Sequence, residues 1–401
     1  MRKLLLYMFL IFSTNSVAQQ KLQEGYWHAE LQLNDTTPLP FVFEVKEGIP
    51  TIINGEERIR IDELSYIGDS LFLKMPVYET EIRCKLSENR LDGYYINHTR
   101  ITKTTIPFLA IQGMGWRFSD RPERTSHNLS GRWLVRWDKE EGENKLSVAL
   151  FEQEGNRVTG TFLTPTGDYR FLEGEMGGAT LRLSAFDASH AYLFDAIVQD
   201  DGSLRGNFFS GSHWHDNWTA HRDSEAELID PESMVFLKPS FKTLAFSLAD
   251  EKGKNISLKD PEYLNKVVIV QLMGTWCSNC LDETIFYVEL SKKYSADKFK
   301  IIALDFEKTD DPVRIARNIH RIKERLSIEY PILYAGNASK EEAIKTLPML
   351  SRIAAYPTTI VIDKKGMVRK IHTGFNGPAS GTLYEKHVRE FSGFLERLMD
   401  E

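Results

Sequence analysis

The sequence predicts a multidomain protein in which an antiparallel, all-β region precedes an α/β domain. Turn-forming pairs such as Asn54-Gly55 and Asp92-Gly93 recur through the first half, between segments that alternate apolar and charged residues. From about Met234, apolar strand patterns alternate with amphipathic helix patterns, which is typical of a central sheet flanked by helices. The length of 401 residues fits two or three domains, and 42% hydrophobic residues suffice for buried cores.

The charge balance excludes one class of partner. The chain has 50 Lys and Arg against 57 Asp and Glu, a net charge of −7. We expect no nucleic-acid partner, because nucleic-acid binding depends largely on neutralising phosphates and this chain has no basic clusters. Three cysteines in 401 residues cannot form a disulfide scaffold, so they act singly or as one pair.

Residues 1–18 are predicted to be a secretory signal peptide. Arg2 and Lys3 precede the apolar run 4–12, which is too short to span a bilayer, and Ser16-Val17-Ala18 offers small residues for cleavage. Cleavage after Ala18 is expected to leave an exported, soluble chain in the periplasm. A retained membrane anchor is the alternative, although no later segment is apolar and long enough to span a membrane.

Residues 24–126 and 127–223 are predicted to be two β-rich repeats. Gly25-Tyr-Trp27 opens the first and Gly131-Arg-Trp133 opens the second, and later matches have a growing offset, as expected when turns carry insertions. The alternation in residues 80–86 is typical of a strand with one apolar face. The turn density favours an antiparallel meander that is closed or nearly closed, either as two small barrels or as two halves of one sheet system.

Residues 224–239 are predicted to be a linker, and residues 240–401 form the α/β domain. A hairpin signature at 246–254 leads to the run 267–272, which is typical of a strand buried on both faces. Further strands are predicted at 299–304, 332–334 and 358–362. Two helices are predicted from apolar stripes, namely Ile315, Ile319, Ile322 and Leu326, and then Tyr384, Val388, Phe391, Leu395 and Leu398.

The strongest functional signal is Gly274-Thr-Trp276-Cys277-Ser-Asn-Cys280, which lies where a buried strand ends and a helix begins. A helix N-terminus presents unpaired N–H groups and the positive end of the helix dipole, which stabilise a thiolate. Cys277 is therefore predicted to be the attacking thiol, and Cys280 resolves the mixed disulfide. The alternatives are a structural disulfide or half of a zinc site, but this domain has no second Cys pair. We expect no metal and no other cofactor.

Residues 240–401, about two-fifths of the chain, resemble the exported thiol-disulfide oxidoreductases of the thioredoxin fold, in the TlpA/ResA-like branch. The matching features are the hairpin lead-in 253–258, the Trp-Cys-x-x-Cys motif, Glu283 and Tyr356-Pro357-Thr-Thr-Ile-Val-Ile-Asp363-Lys-Lys-Gly366. The resemblance implies a cis peptide bond at Pro357, facing the disulfide beside backbone groups that pair with an incoming substrate strand.

The resemblance also implies roles for the residues around the cysteine pair. Glu283 corresponds to an acid that exchanges a proton with Cys280, and an ordinary acid in the first turn of a helix is the alternative. Trp276, Tyr356 and Pro357 are expected to support the site and its docking groove. This sequence departs from the family pattern at two positions. Asn279 stands where the family usually has proline, so the redox potential cannot be taken from relatives. The bulky Tyr356 before Pro357 is expected to narrow the substrate groove, so the substrate also cannot be taken from relatives.

Three other groups have predicted structural roles. Cys84 is expected to be a buried apolar thiol, with a mixed disulfide to Cys277 as the alternative. On a strand, His213 and His215 would share one face and could serve as two metal ligands. Because no third ligand stands at clear spacing, we instead predict that this segment is the strand that closes the β region. The basic residues of one helix are predicted to face solvent, namely Arg317, Arg321, Lys323 and Arg325.

The sequence therefore predicts an exported thiol-disulfide oxidoreductase. The resemblance favours reduction of disulfides in other exported proteins, with electrons from a membrane-bound donor. Two other classes stay open. A thiol peroxidase shares this fold but needs Thr or Ser where Gly274 stands, although Thr275 is adjacent. A ligand-binding β region with a regulatory disulfide would give the N-terminal half its own function.

Overall fold

The computed structural model describes residues 21–401, apart from the side chain of Glu143. The predicted signal peptide, residues 1–18, lies outside the described residues. The structure contains two nine-stranded antiparallel sheets, a short hairpin and a five-stranded mixed sheet. This order of a strand-rich region followed by an α/β domain confirms the predicted multidomain class. No helix within residues 21–401 is long and apolar enough to cross a membrane.

The first sheet lies between Gly25 and Gln112. Its strands are β1 (Gly25–Asn34), β2 (Thr37–Lys46), β3 (Ile49–Asn54), β4 (Glu57–Arg60), β5 (Glu63–Ile67), β6 (Ser70–Lys74), β7 (Thr80–Ser87), β8 (Arg90–Asn97) and β9 (Thr105–Gln112). The order β4-β3-β2-β1-β9-β8-β7-β6-β5 is a meander in which β9 returns to β1. Because strand residues alternate between faces, Ile82, Cys84 and Leu86 of β7 are buried together, as predicted.

The predicted turns of this sheet had different outcomes. Asn54-Gly55 joins β3 to β4, and Gly55 has a φ of +53°, which glycine adopts without strain. The prediction of a turn at Asp92-Gly93 was wrong, since Gly93 lies inside β8 opposite Cys84. A side chain at Gly93 would lie 2.5 Å from the Cα of Cys84, so close strand contact explains this glycine.

The second sheet closes into a barrel. Its strands are β10 (Gly131–Trp137), β11 (Leu146–Glu154), β12 (Arg157–Thr164), β13 (Gly167–Asp168), β14 (Leu172–Gly177), β15 (Thr180–Phe186), β16 (Ala191–Val198), β17 (Leu204–Ser210) and β18 (Trp214–Arg222). β10 pairs with both β11 and β18, and β11 pairs with β12, so the hydrogen bonding forms a ring. Ring closure leaves no long unpaired edge. The internal repeat and its boundaries stay predictions.

The α/β domain confirms the predicted strands and amphipathic helices. Its elements are β19 (Ser247–Ala249), β20 (Asn255–Ser257), β21 (Val267–Met273), α1 (Ser278–Lys293), β22 (Phe299–Glu307), α2 (Pro312–Leu326), β23 (Ile332–Asn337), α3 (Lys340–Thr346), β24 (Thr358–Ile362), β25 (Val368–Thr373) and α4 (Thr382–Asp400). The sheet order is β23-β22-β21-β24-β25, which makes β21 the central strand. All its residues are buried, as its apolar run indicated.

Buried polar contacts join the first sheet to the barrel. The guanidinium of Arg117 donates to the Ser184 hydroxyl of β15 at 3.0 Å and to the Ile53 carbonyl of β3 at 2.5 Å. The Asn54 amide donates to the Phe186 carbonyl at 3.0 Å. Since these groups lie away from water, each must keep its partner in the folded protein. The two sheets therefore pack in a defined relation.

Helix α2 contacts the first sheet through its basic side. Arg314 and Arg317 both bind the buried carboxylate of Glu79, at 2.8 and 2.7 Å. Arg325 pairs with Asp62 at 2.6 Å. Arg317 and Arg325 are exposed, as predicted, although both pair with acids, whereas the prediction was wrong for Arg321 and Lys323, which are partly buried. Both acids lie in segments that connect strands of the first sheet, Asp62 before β5 and Glu79 before β7, and their approach to α2 follows only from how the domains pack.

We expect Glu79→Gln to lower the midpoint of thermal unfolding at pH 7 by about 4 °C, because it removes charged hydrogen bonds worth about 2 kcal/mol. Burial opposes ionisation, but Arg314 and Arg317 hold the pKa of Glu79 at about 2. The stabilisation is present above the ordinary pKa of 4.5 and is lost as the pH falls towards 2. Scanning calorimetry at pH 7 and pH 3 should show a smaller effect at pH 3. The exposed Glu88→Gln is the control. Equal effects of Glu79→Gln at both pH values would contradict the stabilising ion pairs of Glu79.

Candidate active site

The Cys277–Cys280 pair lies at the N-terminus of α1, directly after the buried strand β21. The cysteines form a disulfide with a Cα–Cα distance of 5.2 Å. Cys277 is the N-cap of α1, and its sulfur accepts the backbone N–H of Cys280 at 3.2 Å. The positive end of the helix dipole therefore acts on Cys277, which favours its thiolate when the pair is reduced.

The two sulfur-bearing residues differ in access. Cys277 is 8% exposed, whereas Cys280 is fully buried. Thiol-disulfide exchange requires the attacking sulfur to reach its partner, so only Cys277 is open to a second protein. The resolving role of Cys280 stays a prediction.

The loop before β24 faces the disulfide. The Tyr356–Pro357 peptide bond is cis, and the Tyr356 carbonyl oxygen lies 3.6 Å from the Cys277 sulfur. The Tyr356 ring packs edge-on against Trp276, with ring centres 5.9 Å apart, and the Trp276 indole N–H donates to the Phe306 carbonyl at 3.0 Å. The structure thus brings Trp276, Tyr356 and Pro357 together around Cys277.

A cleft of about 480 Å³ opens beside this loop. Trp276 and Tyr356 form one part of its wall, and the barrel contributes Asn144 and Thr166. The cleft is therefore bounded by two domains. Its wall includes Ala355 and Tyr356, the two residues before Pro357.

Glu283 is buried on α1, three residues after Cys280. Its carboxylate accepts the Thr359 hydroxyl at 2.8 Å and the Gln271 amide at 2.9 Å. Burial raises its pKa to about 7, against the opposing effect of these hydrogen bonds. Glu283 can therefore gain and lose a proton near neutral pH. Its proton exchange with Cys280 stays a prediction, since the hydrogen bonds described for it are to Thr359 and Gln271.

The sequence reasoning missed a buried acidic pair beside the motif. Glu307 accepts both the backbone N–H of Thr275, at 3.1 Å, and the Thr275 hydroxyl. Asp305 lies two residues earlier on β22 and is fully buried. Burial and the charge of Glu307 raise the pKa of Asp305, and burial raises that of Glu307, so the pair retains a proton more readily than free acids. The sequence signal that could have revealed this pair is the presence of two acids at alternate positions of an apolar strand.

The barrel also contacts the redox motif, which the sequence did not predict. Arg170 donates to the Ser278 carbonyl at 3.1 Å, and the Asn279 amide donates to the Asp168 carbonyl at 3.3 Å. Partners are separated by 108 and 111 positions in the chain. No local sequence pattern reports such contacts.

Cys84 and the histidines lie in the β region. Cys84 is buried and free in the first sheet, where burial raises its pKa to about 12, so the predicted apolar thiol is confirmed. Cys277 is bonded to Cys280 rather than to Cys84. His213 precedes β18, whereas His215 lies within β18 and stacks on Phe209. The preferred prediction of a closing strand is confirmed, because β18 pairs with both β10 and β17 and so closes the barrel.

Comparisons with known proteins match the C-terminal domain that carries this site. The family described as Redoxin matches residues 238–385. The thiol-disulfide oxidoreductase ResA of Bacillus cereus (strain ZK / E33L) is 30% identical over 154 residues, covering 38% of this chain and 74% of that protein. ResA of Bacillus thuringiensis subsp. konkukian is 32% identical, covering 31% of this chain and 62% of its own length. This chain thus spans less than two thirds of that relative.

A solved thiol:disulfide interchange protein of Chlorobium tepidum TLS has 20% identity and a TM-score of 0.31, covering 39% of this chain and 95% of its own. The fold and the Cys-x-x-Cys pair define a thioredoxin-like oxidoreductase domain. Through this domain the chain belongs to the ResA-like family of thiol-disulfide oxidoreductases.

We expect Glu283→Gln to stabilise the protein at pH 8 by about 3 kcal/mol relative to its effect at pH 4. The folded-state pKa of Glu283 is raised from 4.5 to about 7. As the pH rises, Glu283 loses its proton in the unfolded chain before it does so in the folded protein. The parental protein therefore loses stability between about pH 4.5 and pH 7. Glutamine cannot ionise and removes that loss. Urea unfolding at both pH values measures the difference, and the exposed Glu289→Gln on the same helix is the control. A variant that is equally affected at both pH values would show that Glu283 does not titrate there.

Proposed function

We propose that the protein is an exported thiol-disulfide oxidoreductase that reduces disulfides of other exported proteins. The observation that carries this proposal is the difference in access within the pair, with Cys277 reachable at the helix N-terminus and Cys280 buried behind it. The family membership of the C-terminal domain supports the reaction class. The signal peptide, the periplasmic location and a membrane-bound electron donor are parts of the same proposal.

The reaction is a two-step exchange. The Cys277 thiolate attacks one sulfur of the substrate disulfide, so that a mixed disulfide forms and the other substrate sulfur leaves as a thiolate. The Cys280 sulfur, after losing its proton, attacks Cys277 and releases the second substrate thiolate. The substrate gains two electrons, and the Cys277–Cys280 disulfide re-forms. The donor must then return two electrons for another cycle.

The surrounding residues have separate tasks in this proposal. The backbone before Pro357 pairs with an extended segment of the substrate, and Trp276 and Tyr356 shape the groove that receives it. Glu283 takes the proton from Cys280 and returns it, since its raised pKa suits proton transfer near neutral pH. We further propose that residues 24–126 and 127–223 are two repeats of one β-rich unit.

The other functional classes have less support. In a peroxidase role Thr275 would have to offer its hydroxyl to the peroxide, but this hydroxyl is donated to the buried Glu307. A purely ligand-binding role would leave unexplained why the barrel contacts the residues between the cysteines.

The equilibrium reduction potential of the Cys277–Cys280 pair tests the direction of electron flow. It is measured by thiol alkylation and mass after equilibration in defined dithiol buffers. We expect a value near or below that of thioredoxin, about −270 mV. A value close to about −120 mV would identify an oxidant that inserts disulfides, and failure to form the pair would exclude the dithiol mechanism.

The Cys280→Ser variant tests the division of labour between the cysteines. Because the resolving sulfur is absent, we expect this variant to accumulate a mixed disulfide with a disulfide-bonded substrate such as insulin, and turnover to fall at least about 100-fold. Non-reducing electrophoresis and mass spectrometry detect the adduct. Cys277→Ser should form no adduct, and Cys84→Ala should behave as the parental protein. An adduct on Cys280 in the Cys277→Ser variant would reverse the assigned roles.

A further inference from the structure

The turn 187–190 of the barrel, which joins β15 to β16, contacts the residues on both sides of Cys277. The Ser189 hydroxyl donates to the Trp276 carbonyl at 3.3 Å. The Ser278 hydroxyl donates to the Asp187 carboxylate at 2.7 Å. The turn thus contacts the residue before the attacking cysteine and the residue after it.

A three-member hydrogen-bond set holds Ser278. Its hydroxyl lies 2.7 Å from Asp187 Oδ2 and 2.8 Å from His190 Nδ1, and these two atoms are 3.1 Å apart. A carboxylate oxygen can only accept, so Nδ1 of His190 carries a hydrogen. The hydroxyl of Ser278 therefore gives its single hydrogen to Asp187 and can accept from His190.

Asp187 is held firmly and stays ionised. It is 2% exposed, and its other oxygen accepts the backbone N–H groups of Ser189 at 2.8 Å and His190 at 2.5 Å. Burial opposes ionisation, but His190 and Arg170 outweigh it, so the pKa of Asp187 lies below its usual range. A fixed negative charge thus lies against the residue that follows Cys277.

Arg170 also lies near the hydrogen-bond set of Ser278, Asp187 and His190. Arg170 approaches Asp187 at 3.6 Å, but it also pairs with Glu57 of the first sheet and Asp282 of α1. A single cation therefore faces three carboxyl groups. Because Arg170 is shared, it does not cancel the charge of Asp187 alone.

We propose that Asp187 and His190 are positioning residues of the redox pair, which act on Cys277 through Ser278. Together they hold the Cys277–Cys280 couple towards its disulfide form, so that the dithiol form is a strong reductant. This inference rests on the proposed function and gives the barrel a part in it. The physical reason is that a nearby negative charge disfavours the Cys277 thiolate, and with it the reduced state. His190 moderates this charge, so the two residues act in opposite directions.

The test compares two variants with opposite expected effects. In Asp187→Asn the equilibrium constant with a dithiol buffer should shift about tenfold towards the dithiol form, which corresponds to a rise of about 30 mV in potential. In His190→Ala it should shift about threefold the other way. The pH profile of Cys277 alkylation should move to lower pH in the first variant and to higher pH in the second. If the two substitutions only loosened the site, they would not shift the potential in opposite directions.

Asp216→Asn is the matched control, since Asp216 is a buried acid of the same barrel whose hydrogen-bond partners are the backbone of Lys139 and Asn217. Its potential should equal the parental value. Shifts below twofold in both test variants, or shifts of the same sign, would overturn the inference. If Asp187→Asn does not fold, an unchanged potential in His190→Ala is sufficient to overturn it. Failure of the proposed function is seen separately, because the parental protein itself would then lack a reversible Cys277–Cys280 couple.

Discussion

The burial of one helix N-terminus is the constraint on which the rest of the structure depends. Strand β21 is buried on both faces, and it ends where α1 begins, so the Cys277–Cys280 turn stands at the edge of a water-poor interior. Unpaired N–H groups at that point need acceptors, and the Cys277 sulfur is one of them. The same geometry that satisfies the helix end places Cys277 at the positive end of the helix dipole.

Ion pairs of one buried arginine link the first sheet, the barrel and the α/β domain beside the cysteine pair. Arg170 of the barrel is buried, and it meets Glu57 of the first sheet, Asp187 of the barrel and Asp282 of α1. Removing one member of such a network leaves an uncompensated buried charge, which is costly. The β region is therefore attached to the redox domain at the redox motif itself.

The local features of the site were predictable from sequence because they depend on neighbours in the chain. The apolar run of β21, the Cys-x-x-Cys spacing and the buried alternation around Cys84 each report a short-range pattern, and the structure contains all three elements. The failures have one physical source. Gly93 lies within a strand and Arg321 is partly buried because of contacts between distant segments, which periodicity does not encode.

By itself, the sequence determined the fold class, most strands and helices of the α/β domain and the position of the cysteine pair, since backbone hydrogen bonding and hydrophobic periodicity are local. It did not predict α3 or β25. Only the tertiary structure decided that the barrel covers the residues between the cysteines, that Glu283 is buried enough to titrate near neutral pH, and that Asp305 and Glu307 lie behind Thr275. Burial and electrostatic environment depend on which surfaces meet, and that is a property of the folded chain rather than of any segment.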